Sequence, residues 1–101
     1  MIEEPVIQEI RSIGLRMRET MEGFSFATNH QTVADEMNRL ADRATQVSGY
    51  HDHIFQKCNV IRSHVSHFHR PRKHRAAVRD VMEPIDRLEN WDPDEAGHPA
   101  Q

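Results

Sequence analysis

Residues 33–68 read VADEMNRLADRATQVSGYHDHIFQKCNVIRSHVSHF, and one stripe of positions in them steps alternately by four and three: Val33, Met37, Leu40, Ala44, Val47, His51, Ile54, Cys58, Ile61, Val65, Phe68. Such spacing is the signature of an amphipathic helix, and sustained over five repeats it is a heptad. With Met37, Ala44, His51, Cys58 and Val65 at a, every d position is apolar. The phase passes through Ser48-Gly49 without a slip, where a loop would ordinarily reset it. The pattern therefore predicts one long helix from about His30 to His69, roughly 60 Å at 1.5 Å per residue. Gly49 disfavours helix by about 1 kcal/mol relative to alanine, so a kink or break there is the alternative.

The flanks extend the helical plan. Pro5 suits a first helical turn. Glu3, Val6, Ile10, Ile13, Met17, Thr20 and Phe24 step by three and four, and Ile7, Gly14 and Met21 widen the stripe. Gly23 reads as the stop, and Thr28 or Thr32 as the cap of the next helix. Arg70-Pro71 closes the long helix, because proline disfavours helical geometry in the residue before it. A third helix carries Val78, Val81, Met82, Ile85, Leu88 and Trp91. Pro84 lies inside it and removes a backbone donor, which predicts a kink or restart near Glu83. The expected fold is all-α: a helical hairpin of three helices around a long coiled-coil-like central helix, with residues 1–92 one domain and 93–101 a flexible acidic tail.

The outer helices are each about half as long as the central one, so part of its stripe would stay open. That predicts a dimeric bundle, with a compact three-helix monomer broken at Gly49 as the alternative. The dimer seam would comprise Leu40, Val47, His51, Ile54, Cys58, Ile61, Val65 and Phe68.

The 101 residues bound the function too. A net charge of −3 hides a segregation: 1–40 hold seven acids and four bases, and 81–101 hold six acids and one base. From His53 to Arg79 there is no acid, against seven bases and five histidines. Lys57, Arg62, Arg70, Arg72, Lys73, Arg75 and Arg79 form a candidate basic patch for an acidic protein partner. Nucleic acid is the alternative, with the turn around Pro71 as its contact, and neutralisation by the chain's own acids is the bland reading. No apolar run reaches the ~20 residues of a membrane span, and no signal peptide opens the chain, so a cytoplasmic protein without membrane attachment is expected.

Catalytic and metal chemistry are poorly provided for. Cys58 has no partner for an internal disulfide and no base among its helical neighbours. His64 and His67, three apart, could supply two metal ligands, which do not make a site; a histidine-rich metal-binding role ranks behind both macromolecular readings, and no cofactor is expected. His51, at a polar seam position, could fix register or simply reach solvent. Histidines crowded by cations predict a fold that weakens below about pH 6.5. The expectation is a small non-enzymatic interaction protein that modulates or inhibits another macromolecule, or serves in an assembly. That class includes inhibitors carried by phages and mobile elements.

Overall fold

The computed structural model describes residues 3–24 and 30–93, and it is all-helical among them, without a strand. Five helices follow in order: α1 Glu4–Glu22, α2 His30–Val47, α3 Asp52–Val65, α4 His74–Asp80 and α5 Met82–Glu89. Among the described residues no helix is long and apolar enough to cross a membrane.

The long central helix does not exist. It is replaced by two helices, α2 and α3, which fold back on one another and pack extensively. The turn is built at Gly49, whose φ of +64° is in the left-handed region. The Gly49 N–H donates to the Gln46 carbonyl and the Tyr50 N–H to the Thr45 carbonyl, both at 3.0 Å. These two bonds are the Schellman pattern, which satisfies the last carbonyls of a helix and turns the chain away from its axis. Tyr50 follows with φ 61°, a conformation strained for a bulky residue. The uninterrupted heptad has a plain cause: His51 lies four residues after Val47, so the turn adds the same spacing a helix would.

The stripe itself is core. Val33, Met37, Leu40, Ala44, Ile54, Cys58, Ile61, Val65 and Phe68 are buried, and Val47 packs against them. They are buried within one chain, so the open stripe that argued for a dimer seam is closed internally. Only His51 of the proposed seam keeps a half-exposed position outside the apolar cluster. The molecule measures 41 × 26 × 19 Å, too short for a 60 Å rod.

The remaining helices close a ring. α1 packs on α2 and α5, and α3 packs on α2, α4 and α5. α1 contributes Ile7, Ile10, Ile13, Met17 and Met21 to the core, with Pro5 in its first turn as the sequence implies. It ends at Gly23, whose φ of −80° is right-handed, so this glycine stops the helix without a left-handed turn. Gly14 has a different task. A Cβ there would lie against the backbone nitrogen of Glu89 and 2.7 Å from its Cα, so only glycine lets α1 and α5 approach this closely. Arg11 Nε donates to the Trp91 carbonyl at 2.8 Å across the same contact.

The helix ends depart from expectation elsewhere. Thr32 is the third residue of α2 rather than its cap, and Thr28 lies outside the described residues, as does the proposed tail from Asp94 onward. α3 ends at Val65, well before Pro71, and residues 66–69 continue as turns. The third helix is two segments, α4 and α5, separated by Val81. This is the break expected from Pro84, which cannot donate to the Asp80 carbonyl.

Candidate functional site

The chain between α3 and α4 is anchored from below and charged above. Phe68, 1% exposed, plugs into the core, and its carbonyl accepts a 2.6 Å hydrogen bond from His74 Nδ1. Since a carbonyl can only accept, Nδ1 of His74 carries the proton. The His74 ring stacks on His30 at 4.9 Å and lies 5.2 Å from Phe24, which meets Phe68 edge-on at 5.5 Å. This aromatic cluster ties the start of α2 and the end of α1 to the turn. Backbone bonds from Lys73 and His74 to the Arg70 carbonyl fix the turn itself.

Arg70, Arg72, Lys73 and Arg75 are exposed on this platform, and none has an ion pair with a described residue. The other members of the basic patch are diverted. Arg62 binds Asp42 at 2.6 Å, joining α3 to α2. Arg79 binds its neighbour Asp80 at 2.8 Å, and that hydrogen bond holds the Asp80 carboxyl below its usual range. Lys57 borders a separate cleft. The seven-residue patch is thus a four-cation turn plus three residues with other surroundings.

The α5 acids do not neutralise the turn. Asp86 and Glu89 pair with Arg18 of α1 at 3.1 and 3.0 Å, and Glu83 with Arg87 of its own helix at 3.0 Å. His67, at the foot of the turn, is held below the usual histidine value by partial burial, then by Lys73, Arg70, His64 and His69. His64 and His67 gain no third ligand: no group of three metal-binding side chains occurs among the described residues.

Cys58 is buried and its thiol is pushed up by desolvation, with smaller opposing effects from the Thr45 hydroxyl and Arg62. A buried thiol held protonated is a poor nucleophile, in keeping with its place in the core.

A cleft of about 270 Å³ lies between α3 and the end of α5. His53 and Lys57 form one side, and Asp86, Arg87, Asn90 and Trp91 the other, with Asp92 also lining it. Trp91 is 4% exposed and its indole Nε1 has no hydrogen-bond partner among the described residues, nor has the buried Nδ1 of His51. The His51 ring meets Trp91 edge-on at 5.6 Å. Sequence reading gave no signal for this cleft beyond placing the one tryptophan at the end of a helix, because its walls are some 30 residues apart in the chain.

Compared with known protein families, characterised proteins and solved structures, the chain matches none. The geometry alone carries the functional reading.

Proposed function

We propose that this chain is a non-catalytic interaction protein of the cytoplasm that docks an acidic surface of a partner protein on the Arg70–Arg75 turn, and so modulates or blocks that partner. The observation that carries the reading is the exposure of four cations on an ordered platform, without an ion pair among the described residues. Unpaired surface charge of one sign steers association and selects a partner of opposite sign.

Nucleic acid is the less favoured target. Proteins that grip a duplex commonly neutralise six to ten phosphates. Here Arg62 and Arg79 are paired and Lys57 sits in another site, leaving a patch the size of one turn on a chain of net charge −3. A compact acidic patch fits that size better than a phosphate backbone.

The test is in-cell crosslinking followed by mass spectrometry in the native host, with the wild-type chain and with Arg70→Ala/Arg72→Ala/Lys73→Ala/Arg75→Ala, each with and without nuclease. The reading expects a protein partner that survives nuclease and is lost with the quadruple variant. Helical circular dichroism should barely change, because exposed charges contribute little to stability. Retention of the same partner by the variant, or its loss on nuclease treatment, overturns the reading.

A further inference from the structure

We propose that the cleft between α3 and the end of α5 is a binding site for a small planar carboxylate, with the Lys57 ammonium as counter-ion and the Trp91 indole as wall. This site is separate from the basic turn and does not depend on its reading. At about 270 Å³ the cleft falls just under the ~300–1,000 Å³ of ordinary small-molecule sites, which fits a one-ring compound.

The charge of the ligand follows from what the lining groups already do. Asp86 Oδ1 accepts from Arg18 at 3.1 Å and from Asn90 Nδ2 at 3.0 Å. Arg87 Nε donates to Glu83 at 3.0 Å, and Asp92 has an interaction of its own. Lys57 differs: it is half-buried at the cleft and has no ion pair or hydrogen bond with a described residue. The unmet demand of the cleft is thus for negative charge.

The shape of the ligand follows from the rings. Trp91 and His53 pack on one another with centroids 6.2 Å apart and planes inclined at 56°, and together give the cleft one aromatic side for the edge or face of a flat ligand. Buried polar atoms are nearly always hydrogen-bonded, so an exception calls for an explanation. Among the described residues Trp91 Nε1 is such an exception, and Trp91 lines the cleft; a small turn of the indole toward a bound carboxylate would supply the acceptor it lacks. A cation, a neutral aliphatic molecule or a long chain would meet neither demand.

Trp91 is the only tryptophan, so its fluorescence and its single indole N–H resonance report on this site alone. The full chain is titrated with benzoate, benzamide and benzylamine, using Trp91 emission and the indole cross-peak of a proton–nitrogen correlation spectrum. Benzoate is expected to shift both signals with one saturation constant. Benzamide should bind about tenfold more weakly or worse, the loss of a charge-assisted hydrogen bond, and benzylamine should not saturate. Lys57→Met should weaken benzoate about tenfold and abolish the preference over benzamide, while Lys57→Arg keeps it. Circular dichroism melts confirm that both variants are folded. Absence of saturation with benzoate, equal binding of benzamide, or an unchanged affinity in a folded Lys57→Met variant overturns the site.

Discussion

Gly14 and Gly49 show how the same residue type answers to different constraints. At Gly14 the conformation is ordinary helix and space is the limit, because the backbone of Leu88 and Glu89 occupies the place of a side chain. Gly14→Ala gains about 1 kcal/mol of helix propensity but forces α1 and α5 apart, an overpacking penalty of about 1–3 kcal/mol. The expected net result is a lower urea midpoint, together with quenched or red-shifted Trp91 emission as α5 loosens. A variant as stable as wild type would mean that α5 can shift without loss.

His67 carries the pH dependence at this scale. Its folded-state pKa is depressed, so the unfolded chain binds more protons than the folded one as acid is added. The stability it contributes is fully present above the unfolded value of about 6.5 and is lost as pH falls through the lower folded value. The urea midpoint should therefore fall between pH 7 and pH 5 at fixed ionic strength, and His67→Gln should flatten that fall. An unchanged slope in the variant would place the effect elsewhere. The sequence points to this direction through the acid-free run from His53 to Arg79, in which His67 lies among cations.

Among the elements, the turn between α2 and α3 decides the topology. Nothing meets a Cβ added at Gly49, yet its φ of +64° makes any side chain strained there. Gly49→Ala should destabilise by about 1 kcal/mol. Tyr50, exposed and also left-handed, should respond oppositely: Tyr50→Gly should raise the urea midpoint by removing that strain. If both variants moved stability the same way, the left-handed turn would be the wrong description of residues 49 and 50.

This turn also marks the limit of what the sequence discloses. Helical periodicity reports which residues are apolar on one side, and every d position was correctly placed against the core. Periodicity carries no information about the direction of the chain, and a four-residue reversal leaves a four-three alternation intact. The restart near Pro84 was legible because the missing N–H acts locally, within one turn. The close approach at Gly14 was not legible, since its reason lies in Glu89, far along the chain.

At the scale of the molecule, closure of the stripe changes what assembly is expected. With every seam residue except His51 packed into the core of one chain, light scattering should return the 11.8 kDa of a single copy; twice that mass would restore a dimer formed through another face. Ile54→Asp then places a carboxylate in a fully buried position of this one core, at a penalty of several kcal/mol against a stability of only about 5–15 kcal/mol. The expected outcome is an unfolded chain by circular dichroism, not a folded monomer released from a dimer. The basic turn was legible because its residues are consecutive. The cleft was not, because it exists only once α3 and α5 have met.

The packing of α1 against α5 sets an order on synthesis. A ribosome emits α1 first, yet the helix that receives Gly14 and Arg18 begins about 60 residues after α1 ends, and the Trp91 carbonyl that receives Arg11 comes later still. At about 5–20 residues per second, that interval is roughly 3–12 s. Throughout it the hairpin of α2 and α3 can form from local contacts, while Ile10, Ile13 and Met17 have only part of their cover. The nascent chain is then an adhesive amphipathic helix waiting for its last partner, and slow translation or a premature stop before residue 82 should favour capture by chaperones or aggregation over a partly working product.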